Sequence, residues 1–170
     1  MRQIISWFSW QKVIFSVLIV AIIYQSRLGL SEWLIGWDSV MPELDWKLNF
    51  TRTVAGAWQE YQGLGLTGGM AHLADLSRMI ILWVIDQLVP TNYVRWVWHM
   101  GMVLLGSIGI WYMGKKLWKW SESGCLAASV FYLLNLATVQ YFFVPYEAFS
   151  SFYGFLPWLI AVVSVVAVLP

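Results

Sequence analysis

The fold class is decided by one stretch of the chain, YVRWVWHMGMVLLGSIGIWYM, which covers residues 93–113. At 1.5 Å per residue a helix of this length rises about 31 Å, close to the thickness of a bilayer's hydrocarbon core. Its only basic side chains are Arg95 and His99, and it is followed by Lys115, Lys116 and Lys119. An apolar run of this length with lysines after it predicts a membrane-spanning helix.

The composition of the whole chain agrees with a membrane protein. Of its 170 residues, 60% are hydrophobic and 11% are charged, whereas soluble domains carry about 25% charged residues. The 13 Trp and 8 Tyr favour the headgroup level of a bilayer. A net charge of +1 gives no basic face for nucleic acid. The single cysteine, Cys125, excludes an internal disulfide and multi-cysteine zinc sites.

Three further spans are predicted at about residues 4–24, 124–144 and 149–170. Lys12 interrupts the first one, so either Lys12 snorkels to the headgroups or the span begins near Val13. A cleaved signal peptide is the rival interpretation, but residues 25–29 offer no small-x-small cleavage site, which favours an uncleaved anchor. The expected fold is an all-α, polytopic transmembrane helical bundle. Because the last span continues to Pro170 without a polar tail, we expect an N-terminal portion of a longer protein; a full-length four-span protein is the alternative.

A long polar loop, residues 25–92, is expected between the first two spans and should contain amphipathic juxtamembrane helices. One predicted helix places apolar side chains on one face and Arg52 and Gln59 on the other; the apolar set is Phe50, Val54, Ala57, Trp58 and Tyr61. Glycines at 63, 65, 68 and 69 then indicate turns. A second, short helix is capped by residues 75–77 and ends before Pro90.

The basic residues set the expected orientation. With the N-terminus in the cytoplasm and residues 78–89 not crossing, the inner side carries five basic residues and Glu122, a charge of +5 − 1 = +4. The outer side then carries five basic and eight acidic residues, +5 − 8 = −3. The positive-inside rule therefore predicts a multi-pass protein of the cell membrane with residues 25–92 outside the cytoplasm.

The segment that could carry chemistry is Gly36-Trp37-Asp38-Ser39-Val40-Met41-Pro42-Glu43-Leu44-Asp45-Trp46. It places three carboxylates within eight residues, shortly after the first span. A carboxylate near a low-dielectric boundary is suited to act as a general base. The tryptophans can stack on sugar rings or anchor the segment at the interface. The plainer alternative is a solvated acidic loop with interfacial anchors.

This arrangement resembles the GT-C class of membrane glycosyltransferases, in which a first span is followed by an outer loop with an early Asp or Glu. The stretches 36–43, 58–63 and 68–69, with the short helix closed by Pro90, are similar to bacterial arabinofuranosyltransferase-like members. The similarity covers residues 1 to about 120. It implies transfer of a sugar from a polyprenyl-phosphate donor to a glycan or lipid acceptor of the cell envelope. No cofactor is implied, and the sequence leaves a divalent metal undecided.

The resemblance also suggests roles for individual residues. The catalytic carboxylate corresponds best to Asp38, followed by Glu43 and then Asp45. Phosphate and substrate contacts are assigned on charge or chemistry alone, to Arg52, Arg78, His72 and Trp37. His99, an ionisable group within a predicted span, is a further candidate.

Two other classes of function compete with the enzyme. A transporter or lipid flippase predicts ionisable residues at the membrane midplane and discontinuous helices. A non-catalytic membrane subunit would tolerate the loss of every acidic residue in the loop. The concentration of carboxylates in residues 25–92 favours the enzyme.

Overall fold

The described part of the chain is helical. A computed structural model describes residues 9–36, 41–55, 75–143 and 146–166, and within these ranges there is no strand. This confirms the predicted all-α class. The seven α-helices are α1 Trp10–Gln25, α2 Trp46–Val54, α3 Leu76–Asp86, α4 Thr91–Tyr112, α5 Glu122–Leu134, α6 Leu136–Phe143 and α7 Glu147–Val166. A 3-10 helix, Pro42–Leu44, precedes α2, and a π-helical turn, Met113–Leu117, continues α4.

Two of the described helices are long and apolar enough to cross a membrane. Thr91–Leu117 has 27 residues and contains an 18-residue stretch with a mean hydropathy of 1.2; Glu147–Val166 has 20 residues and contains one with a mean hydropathy of 1.8. They coincide with the spans predicted at 93–113 and 149–170. The apolar helices α1 and α5 have only 16 and 13 residues, fewer than the 17–25 that a crossing needs.

The first predicted span corresponds to α1, which begins at Trp10 and so places Lys12 in its first turn. Ser9 caps the helix, and its hydroxyl accepts a hydrogen bond of 3.4 Å from the backbone N–H of Lys12. At the other end the Ser26 hydroxyl donates to the Ile22 carbonyl at 2.8 Å. Residues 4–8 of the predicted span lie outside the described residues.

The prediction of one continuous helix over residues 124–144 is wrong, because two helices, α5 and α6, meet at Asn135. The backbone of Asn135 is extended, with ψ 154°. Its side-chain oxygen accepts from the Thr138 N–H at 3.0 Å, and its amide donates to the Phe131 and Tyr132 carbonyls. Asn is among the best N-capping residues, so Asn135 ends one helix and begins the next.

The amphipathic helix predicted from residue 50 onward begins earlier, at Trp46, and is described only as far as Ala55. The predicted apolar face, expected to lie on the membrane, stays a prediction: Val54 is 71% exposed, and Thr53 is buried. Arg52, expected on the polar face, is half-buried. The hydroxyl of Thr53 donates to the Asn49 carbonyl at 2.8 Å, and this bond lets a polar side chain be buried in place of an apolar one. Trp58 and Tyr61 lie outside the described residues.

The chain divides into two units, one formed by Met1–Asp38 with His99–Pro170 and the other by Ser39–Trp98. In the first unit, α4 and α7 approach closely through glycines. A β-carbon added at Gly106 would lie 2.7 Å from the Tyr153 ring, and one at Gly154 would lie 2.5 Å from the Met102 sulfur. Small residues at helix contacts of this kind are typical of membrane helices, which associate by close packing.

Side-chain hydrogen bonds to backbone carbonyls also join helices of this first unit. Trp158 Nε1 donates to the Leu105 carbonyl at 3.0 Å, and the Tyr132 hydroxyl donates to the Tyr153 carbonyl at 2.7 Å. The two tyrosine rings stack with centroids 4.4 Å apart. Polar contacts between apolar helices fix their relative register, because an unsatisfied group in an apolar environment is costly.

Candidate functional site

The second unit contains a buried ion pair between Glu43 and Arg95. The Nε atom of Arg95 lies 3.4 Å from Oε1 of Glu43, and the two side chains are only 3% and 2% exposed. Glu43 belongs to the acidic segment singled out from the sequence, and Arg95 lies one turn into α4. The pair therefore fixes the acidic segment to the beginning of the longest described helix.

The local sequence explains why Glu43 points inward. Pro42 begins the 3-10 helix, where its fixed φ and missing N–H are tolerated, and Glu43 follows it. The turn ends at Asp45, whose N–H donates to the Pro42 carbonyl at 3.2 Å. The 3-10 helix packs against α2 and α3. A single tight turn thus carries the carboxylate of Glu43 into the interior of its unit.

Asp45 has a structural contact of its own. It is the N-cap of α2, and its carboxylate accepts a hydrogen bond of 2.9 Å from the backbone N–H of Leu48. An N-capping Asp also interacts favourably with the positive end of the helix dipole. Asp45 is exposed at the surface of its unit, and Glu43 is not. The two neighbouring carboxylates therefore sit in opposite environments.

Two further side-chain contacts hold α2 and α3 together beside the ion pair. Trp46 Nε1 donates to Asp86 Oδ2 at 2.8 Å. The buried Thr53 hydroxyl lies 2.9 Å from the sulfur of Met79, which is itself buried. Each contact joins a residue of α2 to one of α3. Residues 42–46 are consequently supported by hydrogen-bonded helices of the same unit.

Two of the phosphate-binding candidates lie on helices of the second unit, Arg52 on α2 and Arg78 in the first turn of α3. Arg78 forms a two-point ion pair with Asp75, with Nε–Oδ1 and Nη2–Oδ2 distances of 2.6 and 2.5 Å. Asp75, predicted to cap α3, occupies the N-cap position but makes no side-chain capping bond. The candidates Asp38, Trp37 and His72 lie outside the described residues.

Two charged residues of this site were missed as functional candidates when the sequence was interpreted. These are Arg95 and Asp86, to which the sequence pattern assigned no role in a site. The sequence could have indicated Arg95, because a single arginine in an apolar helix needs a partner of opposite charge. Asp86 has the same signature within the apolar run of α3.

His99 belongs to the first unit and is 1% exposed. Its ring meets that of Phe142 edge-on, with centroids 6.2 Å apart. Within the described ranges, no group of three His, Cys, Asp or Glu side chains is arranged as metal ligands.

Comparisons with known protein families, with curated proteins and with solved structures give no match to this chain. The case for a function therefore depends on the chemistry of the acidic segment and its surroundings.

Proposed function

We propose that this protein is a membrane glycosyltransferase that moves a sugar from a polyprenyl-phosphate donor to a glycan or lipid acceptor outside the cytoplasm. In this proposal the protein is a multi-pass protein of the cell membrane with four spans. Its N-terminus is cytoplasmic and residues 25–92 are extracytoplasmic. The two long apolar helices support the membrane assignment. The pair α5 and α6 forms one interrupted crossing.

The observation that carries the proposal is the burial of Glu43. A solvated acidic loop, the plainer alternative, would leave its carboxylates in water. Instead the Glu43 side chain is 2% exposed and is ion-paired with Arg95. Burying a charged side chain costs free energy unless a group of opposite charge compensates for the loss of water. An ordered segment can hold a catalytic carboxylate in one position, which a solvated loop does not do.

The proposed transfer reaction requires one proton acceptor. The acceptor hydroxyl attacks C1 of the donor sugar while the bond from C1 to the phosphate oxygen breaks. The hydroxyl proton passes to the Asp38 carboxylate, and the electron pair of the broken bond leaves on the lipid phosphate. Because that phosphate is stable as an anion, no second carboxyl group is needed to protonate it, unlike in glycoside hydrolysis. Basic side chains hold the phosphate by charge-assisted hydrogen bonds; Arg52 and Arg78 stay the candidates.

Glu43 fits better as a positioning residue than as the base. Its carboxylate is buried beside the Arg95 guanidinium, which holds it in one position. Asp45 is engaged as the cap of α2. These two assignments leave Asp38 as the proposed base.

The proposal is tested by a transfer assay on the full-length protein in proteoliposomes. Polyprenyl-phosphate donors carrying different radiolabelled sugars are supplied with short envelope glycans as acceptors. We expect label to appear in the acceptor with at least one donor, together with stoichiometric release of polyprenyl phosphate. Movement of the intact donor between leaflets without any transfer would overturn the enzyme proposal in favour of a flippase. If the donors were neither transferred nor moved, a non-catalytic subunit would replace it.

A further inference from the structure

The first unit contains an open groove of about 800 Å³ with three lysines on its lining. We name it the lysine groove. Its lining includes Lys12, Phe15, Trp111, Lys115, Lys116 and Glu122. Three lysines and one glutamate give a local charge of +3 − 1 = +2. All of these residues belong to the first unit, and none belongs to the acidic segment.

The groove is formed by three elements of one unit. Helix α1 packs against α5, and Gln11 Nε2 donates to the Ser123 hydroxyl at 3.3 Å. The Phe15 and Trp111 rings meet with centroids 5.3 Å apart and join α1 to α4. Lys12 on α1 and the lysines of the π-helical turn thereby line the same groove.

That turn, Met113–Leu117, carries Lys115 and Lys116. Single π-helical turns within α-helices are rare and occur frequently at functional sites. Lys119, which follows with a φ of 55°, does not line the groove. Lys115 Nζ lies 2.6 Å from Glu122 Oε1, but the lysine side chain is 43% exposed. Exposed ion pairs of this kind contribute little stability. A phosphate group can therefore replace Glu122 as the partner of Lys115.

We propose that the lysine groove binds the phosphate headgroup of an anionic phospholipid. The lysines match the phosphodiester charge, and basic pockets between membrane helices hold such headgroups. The groove also has an apolar, aromatic lining that a soluble anion would not use, including Phe15, Ile108 and Trp111. This site is separate from the proposed sugar chemistry and does not depend on it.

The test is native mass spectrometry of the full-length protein in detergent, titrated with dioleoylphosphatidylglycerol or dioleoylphosphatidylcholine. We expect the anionic lipid to bind more tightly than the zwitterionic one. The double variant K12Q/K116Q should weaken anionic-lipid binding about twentyfold, since each lysine near an anionic surface contributes roughly a fivefold gain. K119Q removes the same charge from a neighbouring lysine outside the groove and should leave binding unchanged.

The charge-preserving variant K12R/K116R should retain the affinity, and its folding shows that the positions tolerate substitution. Equal binding of the anionic lipid to K12Q/K116Q and to the wild type would overturn the site. An equal loss of anionic-lipid affinity in K119Q would show that the lipid responds to the overall positive charge and not to the groove. That result would also overturn the site. If inorganic phosphate displaced the lipid at equal phosphate concentration, the groove would be a site for free anions and the lipid assignment would be wrong.

Discussion

Replacing Arg95 with methionine is expected to lower the free energy of unfolding by about 3–5 kcal/mol, because Glu43 would keep a buried charge without its cation. The Glu43 side chain is 2% exposed and lies 3.4 Å from Arg95, so water cannot reach it without rearrangement. For a chain of this size we expect a fall of roughly 6–20 °C in the unfolding temperature. The measurement is thermal unfolding of the full-length protein in detergent micelles.

Two further variants separate the ion pair from a general effect of the substitution. Lys47→Met removes an exposed cation from α2 and should change stability by less than about 0.5 kcal/mol. The double variant E43M/R95M removes both charges and should recover most of the loss, because an apolar pair of similar volume often replaces a buried ion pair without penalty. A double variant no more stable than R95M would contradict the ion pair as the source of the effect.

Asp38→Asn is expected to reduce sugar transfer at least about 100-fold, the lower end of what a general base contributes. The amide keeps the size of the side chain but cannot accept the proton from the acceptor hydroxyl. Expression and membrane insertion should be unchanged, since an amide replaces a carboxylate of similar size and shape. The measurement is the initial rate of transfer in proteoliposomes, with protein amount determined in the same samples.

The matched control is Asp45→Asn, the same chemical change seven residues further along the segment. Asn caps helices about as well as Asp does, so α2 should be preserved and transfer should continue. Unchanged transfer by Asp38→Asn would remove Asp38 from the mechanism and make Glu43 the next candidate. Equal loss in both variants would indicate a shared electrostatic requirement rather than a single base.

The helical class and two membrane-spanning candidates could be predicted from the sequence because long apolar runs dominate it. The same periodicity did not show the break at Asn135, since the capping bond to Thr138 depends on local side-chain geometry. It also did not show that Thr53 is buried, because that burial depends on contacts with Asn49 and Met79. The spacing of apolar residues predicts which face of a helix is buried only where the burial of apolar side chains determines that face.

The candidate site was predicted in part. The sequence singled out Glu43 and Asp45 but gave no means to assign different environments to two carboxylates only two residues apart. The difference arises from the turn Pro42–Leu44, which directs one side chain inward and leaves the other as a cap. Arg95 was missed because its partner is distant in sequence, and pairing over such a distance depends on tertiary structure.

The central claim is that the acidic segment faces the outside of the cell, where a lipid-linked sugar can meet its acceptor. It is tested most directly by cysteine labelling in intact cells, with the buried Cys125 replaced by alanine. A membrane-impermeant maleimide should label Ser39→Cys in intact cells and Lys119→Cys only after permeabilisation. Labelling of Ser39→Cys only after permeabilisation would put the segment in the cytoplasm and contradict the proposed transfer.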